Sequence, residues 1–199
     1  MGRKAKKEQE IAEMKLEILR AAVHLFTAEG YEHVSMRKIA AHIDYSATAI
    51  YSYFANKEEI LVELLRHCYG EFLRCLQAAV KECREQGIEQ RLRAALHGYI
   101  QFGLRQPQYY QLIFIDNLDQ LQHVALPDND RYEGFRLLEE LVREAMEAGV
   151  LQRQDVRLVS QSLWASLHGT TSLLITFPGF GWDTGDFSRF QVEAMLRGL

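Results

Sequence analysis

Between Ser35 and Lys57 the chain reads SMRKIAAHIDYSATAIYSYFANK, and few folds accommodate that order of caps, breaks and apolar positions. Ile39, Ala40 and Ile43 recur at helical spacing, which gives a first helix one apolar face. Ser35 stands just ahead of them, where its hydroxyl can accept from an unpaired helix N–H. Asp44 and Tyr45 interrupt the pattern, and aspartate tolerates the left-handed backbone that a sharp turn often needs. Ser46 offers a second cap ahead of a helix over residues 47–54, in which Ile50 and Phe54 lie four apart and face inward. Asn56, with Glu59 three residues on, has the spacing of a capping box that opens a third helix. The stretch therefore predicts a helix-turn-helix, a shape that fits the DNA major groove.

The rest of the chain is read around that unit. Ile11, Met14, Ile18, Ala21, Ala22, Leu25 and Phe26 predict a preceding helix that Gly30 ends in left-handed backbone. Residues 1–10 are too polar to pack and read as a solvated tail, though Arg3, Lys4, Lys6 and Lys7 could reach a DNA backbone. Lys57 opens a long helix to about Gln86, with Ile60, Leu61, Leu64, Leu65, Cys68, Phe72 and Leu76 as its buried stripe. Further helices are expected over residues 88–106, from Pro107, over 130–148, from Asp155 to Thr176, and over 187–197. A loop around Pro127 covers residues 120–130. Three prolines in 199 residues, and no alternating apolar run, place the chain in the all-α class with about nine helices.

Charge is uneven along the chain. Residues 1–57 carry nine Lys/Arg against seven Asp/Glu, and the remainder fourteen against twenty, so a balance of +2 precedes one of −6. A basic front and an acidic rear suit a chain that presents one end to a polyanion. No stretch reaches the ~20 apolar residues of a membrane span, and the charged N-terminus is unlike a signal peptide, so a cytoplasmic protein without membrane contact is expected. Cys68, Cys75 and Cys83 share one helix at spacings of seven and eight residues, about 10.5 Å or more apart, too far for a disulfide or a shared metal shell. They read as buried, reduced cysteines, and neither a metal nor another cofactor is expected.

Gly30–Tyr31, Ser35, Ile39–Ala40, Ile50–Tyr51, Tyr53–Phe54 and Asn56–Lys57–Glu58 together resemble the signature of the TetR/AcrR family of bacterial transcription regulators. The resemblance runs without a gap over roughly residues 11–65, with Asp44 where the family usually has glycine. It implies a DNA-binding domain over residues 1–56 and a ligand-sensing, dimerising domain over 57–199. It also implies a homodimer on a palindromic double-stranded operator, most often a repressor released by a small-molecule effector. Trp164–x–x–x–His168–Gly169 resembles one subgroup of the family's C-terminal domains.

DNA contacts are implied for Ser35, Arg37, Ser46, Ala47, Thr48, Ala49, Tyr51, Tyr53 and Lys57. The chemistry suits each role: a guanidinium forks onto guanine or phosphate, hydroxyls reach base edges, and alanine methyls meet thymine methyls. Phosphate suits a tyrosine hydroxyl and a lysine at a helix start. Against this, Ser35 and Ser46 can act as caps alone, and one of Tyr51 and Tyr53 can be core. In the second domain Tyr99, Phe102, Tyr110, Phe114, Trp164 and His168 could line a pocket for a largely apolar ligand, or serve only as core. An enzyme is the main rival, but the chain holds no Gly-x-Ser-x-Gly, no His-Glu-x-x-His, no phosphate-binding glycine loop and no paired-cysteine motif. A helical adaptor without DNA binding is the third reading, and steep salt-dependent binding to duplex DNA separates a regulator from both.

Overall fold

A computed structural model describes residues 3–116 and 128–198. Among the described residues it holds nine α-helices and no strand. They are α1 (Arg3–Glu29), α2 (Met36–His42), α3 (Ala47–Ile50), α4 (Lys57–Glu82), α5 (Gly87–Arg105), α6 (Pro107–Tyr110), α7 (Asp128–Glu147), α8 (Val156–Thr176) and α9 (Thr184–Arg197). A π-helical turn, Gln111–Ile115, continues from α6. No described helix is long and apolar enough to cross a membrane. The chain packs as two units. The first holds α1–α3, α4 as far as Cys68 and the segment from Gln111; the second holds α4 from Tyr69, α5, α6 and α7–α9.

The first unit closes around Ile18, Ala22, Phe26, Ile39, Ile50, Phe54, Ile60, Leu61 and Leu64, all buried. Its caps form as the residue types dictate. Ser35 Oγ accepts from Lys38 N at 3.2 Å, and Ser46 Oγ accepts from Ala49 N at 3.1 Å. Asp44 sits at φ 58°, the left-handed turn residue between α2 and α3. Asn56 Oδ1 accepts from Glu59 N at 2.8 Å while Glu59 Oε2 accepts from Ala55 N at 2.6 Å. The π-helical turn rests on α1 through Gln111 Nε2, which lies 3.5 Å from Thr27 O and 3.2 Å from Asp116 Oδ1.

Several boundaries differ from the sequence reading. The polar stretch read as a tail is helical from Arg3, because strong helix formers and pairs such as Gln9–Glu13 carry the helix without packing, and Ile11 is exposed. α3 closes at Ile50 and the chain turns through Ser52 and Tyr53, so the second helix of the motif is four residues long. α7 begins at Asp128, two residues before the expected cap, and most of the expected loop over 120–130 lies outside the described residues. α9 begins at Thr184 because Asp183 caps it, accepting from Asp186 N at 3.0 Å. Cys68 is buried, while Cys75 and Cys83 are half-buried, and all three are unbridged.

In the second unit α5, α7 and α8 pack on one another around Leu92, Leu96, Ile100, Leu141, Val142, Leu163 and Leu167. Arg91 reaches Glu144 of α7 at 2.6 Å, and Arg93 pairs with both Glu89 and Glu193, tying α5 to α9.

Candidate nucleic-acid interface and effector site

The capped motif leaves one side of the first unit polar and open. Arg37 on α2 and Ser46, Thr48 and Tyr51 at α3 are exposed, Tyr51 at 54% of its full surface. Ser35 is exposed too, with its oxygen used by the cap. Ala47, Ala49 and Tyr53 are half-buried. The turn brings these residues together because Tyr45 N donates back to Ala40 O at 2.9 Å, folding α3 across α2. Tyr45 itself is exposed in that turn and was missed by the sequence reading. Its signal was a large aromatic with no inward partner at helical spacing.

Lys57 is half-buried at the start of α4. Its Nζ donates to Tyr31 O at 2.7 Å and lies 4.0 Å from the centre of the Tyr31 ring, a cation–π contact. The lysine thus ties α4 to the turn after α1, and burial beside Glu58 and Glu32 raises the Tyr31 pKa. An ammonium has three donors, so this bond does not use all of them.

Of the six residues proposed to line a pocket, the structure brings five together in the second unit, and Phe114 falls in the first. Tyr99 and Tyr110 meet edge-on with hydroxyls 3.2 Å apart. The Tyr110 hydroxyl lies 2.8 Å from His168 Nδ1, and the two rings stack. Trp164 stands one turn from His168 on α8, 41% exposed, with Phe135 of α7 at its edge. Phe102 joins through Phe72, which packs edge-on against both Phe102 and Tyr99. Phe72 and Phe135 were absent from the sequence list because their helices reach this cluster only through tertiary packing.

The electrostatics here are those of neutral groups. Burial pushes the Tyr99 phenol far up, with a hydrogen bond from Trp164 acting the other way, and pushes Tyr110 up to about 12. Burial lowers the His168 pKa, so its imidazole is neutral at pH 7. The same burial lowers His97, opposed by Glu193 and reinforced by Arg93 and Arg189. Above a pH of about 6.5 both rings are neutral in folded and unfolded chains. As pH falls through that value, the unfolded chain binds protons that the buried rings refuse, and stability falls until the lower folded pKa is reached. The melting temperature should therefore drop between pH 7.5 and 5.5, and by less in His168→Gln. An equal drop in both proteins would remove His168 as a cause.

Comparisons with known proteins agree with this architecture. The profile "Bacterial regulatory proteins, tetR family" matches residues 18–64, and "Tetracyclin repressor-like, C-terminal domain" matches residues 92–198. The "HTH-type transcriptional repressor NicS" of Pseudomonas putida is 27% identical over 194 residues, covering 92% of this chain and 90% of its own. The "Fatty acid metabolism regulator protein" of Bacillus subtilis is 25% identical over 162 residues, covering 79% and 81%. Among solved structures, FadR from Bacillus subtilis in complex with stearoyl-CoA shares the fold with a TM-score of 0.75 at 22% identity, covering 92% and 98%. The chain belongs to the tetR family of bacterial regulatory proteins and is a DNA-binding transcription regulator.

Proposed function

We propose that the protein is a repressor that leaves a palindromic operator when a small, largely apolar ligand enters its second unit. The observation that carries this is the pairing of a capped, outward-facing motif with a separate cluster of aromatic side chains, Tyr99, Tyr110, Trp164 and His168. Residues 1–56 act as the DNA-binding domain and 57–199 as the sensing and dimerising domain, in the cytoplasm and without catalysis. Arg37 and Lys57 meet phosphate or guanine. Ser35, Ser46, Thr48, Tyr51 and Tyr53 supply hydroxyls, and Ala47 and Ala49 allow close approach. Tyr99, Phe102, Tyr110, Trp164 and His168 surround the ligand.

The Trp164–His168–Gly169 spacing supports placement in the subgroup that carries it. The stearoyl-CoA complex of a fold relative supports an effector with a long apolar part. A homodimer is supported by exposed Leu158, Ala165, Gly169 and Leu173 along one side of α8, with Phe190 and Ala194 exposed on α9. Two-fold pairing through that face matches a palindrome with half-sites about 34–36 Å apart or a multiple.

Sites selected from random duplex DNA, followed by anisotropy titrations at several salt concentrations, test the reading. Arg37→Ala should flatten the log–log salt slope by ~0.9 for its lost phosphate contact. Tyr51→Phe should weaken binding to all sequences alike while leaving the slope in place, because a phenol releases no counterion. A salt slope near zero in the parent protein would overturn the assignment, and a monomer at micromolar concentration by sedimentation would overturn the dimer.

A further inference from the structure

Among the described tyrosine and phenylalanine rings of the first unit, Tyr45 and Tyr51 stand in the open, at 42% and 54% exposure. Phe26 and Phe54 are buried, and Tyr31, Tyr53 and Phe114 are half-buried. The two open rings flank α3, Tyr45 one residue before its Ser46 cap and Tyr51 closing it. Neither position is loose. Tyr45 N donates to Ala40 O at 2.9 Å, just after the left-handed Asp44, and Tyr51 N donates to Ala47 O at 3.1 Å. A phenol on a fixed backbone has only two side-chain torsions to lose on binding, which keeps the entropic cost of holding it low.

Many of the other polar groups around α3 are committed to the fold. Ser46 Oγ accepts from Ala49 N, and Ser52 Oγ donates to Ala49 O at 2.6 Å, so both hydroxyls serve the helix. Lys38 pairs with Glu29, Lys15 lies over the Phe54 ring, and Lys57 is held against Tyr31. Register on a duplex is set largely by phosphate contacts, to which tyrosine hydroxyls contribute. Asp44 is exposed and repels phosphate at short range, so the backbone of the turn is a poor seat for one. A side chain that carries its donor well clear of the backbone escapes that repulsion, and the Tyr45 phenol does so.

We propose that Tyr45 holds a DNA phosphate, and that Tyr45 and Tyr51 clamp the two strands of one half-site, one phenol on each wall of the major groove. Six residues at helical rise advance about 9 Å, and a phenol's length at each end carries the span past a groove about 12 Å wide. The proposal rests on the placement of α3 in the groove and adds a contact to it. The clamp fixes the register while the side chains between the two phenols meet base edges.

Methylphosphonate linkages, which remove the charge of one phosphate at a time, locate the contact. They are placed singly along both strands of the selected operator, and the full-length protein is titrated by anisotropy. Tyr45→Phe should weaken binding to the unmodified operator about 10-fold, the worth of one hydrogen bond to a charged group. The loss should be equal across operator sequences and leave the salt slope in place, because a phenol releases no counterion. The melting temperature should stay at that of the parent, since the ring is kept and the position is exposed. In Tyr45→Phe, one linkage on one strand of each half-site should cease to matter, and in Tyr51→Phe one on the opposite strand. A loss of affinity in Tyr51→Phe alone would overturn the Tyr45 contact and leave the placement of α3 standing. A loss in neither would overturn both. A Tyr45→Phe loss that depends on base sequence, or two insensitive phosphates on the same strand, would overturn the clamp.

Discussion

A Phe54→Ala protein should lose most of its affinity for any duplex and melt well below the parent. Phe54 is 1% exposed at the end of the motif, with Lys15 Nζ 4.9 Å from its ring centre. Removing a buried phenylalanine costs about 3–5 kcal/mol, from lost transfer energy and from the cavity left behind. A unit of this size has little stability in reserve. For a chain of about 200 residues, each kcal/mol moves the melting temperature by roughly 2–4 °C, so a fall on the order of 10 °C is expected. Tyr51→Ala, three residues earlier but exposed, makes the contrast. It should weaken DNA binding with a stability change within about 0.5 kcal/mol. Calorimetry and anisotropy on the same samples separate the two losses. A Phe54→Ala protein that melts within 2 °C of the parent would mean that the ring is not part of the core.

The parts of this architecture that the sequence showed are those that local chemistry decides. Ser35, Ser46 and Asp155 cap their helices because a short side-chain oxygen beside a free N–H has few better uses. Asp44 was legible as a turn residue for the same reason, and its positive φ follows from its tolerance of that backbone. The aromatic cluster was legible only in part. Trp164 and His168 share a helical face, which spacing reveals, but Tyr110 meets His168 across 58 residues and no local pattern encodes that distance.

Other features depend on packing still further from the residue itself. Lys57 was read as a phosphate contact from its place at a helix start. The structure adds its bond to Tyr31, 26 residues earlier, which no helical period could have signalled. The start of α1 was missed for the opposite reason. A helix with strong local propensity and no buried face leaves no apolar stripe to detect.

Gly103→Ala should destabilise the protein even though alanine is the better helix former. In an open helix interior the change gains up to about 1 kcal/mol, and Gly70, with nothing within 4 Å of an added Cβ, should show that gain. At Gly103 the added carbon would lie 2.3 Å from Thr171 Cγ2, 3.1 Å from Tyr110 Cδ2 and 3.2 Å from Ile175 Cδ1. Thr171 cannot simply turn aside. Its β-branch restricts the side chain, and its hydroxyl is held by Leu167 O at 2.8 Å. Tyr110 is held in turn by its bond to His168. Relief must therefore come from separating α5 and α8, and overpacking of this kind costs about 1–3 kcal/mol. The expected result is a melting temperature lower by several degrees in Gly103→Ala and slightly higher in Gly70→Ala. Because Tyr110 is among the displaced groups, Gly103→Ala should also shift Trp164 emission, whereas Gly70→Ala should leave it in place. A Gly103→Ala protein as stable as Gly70→Ala would mean that α5 and α8 do not approach this closely in solution.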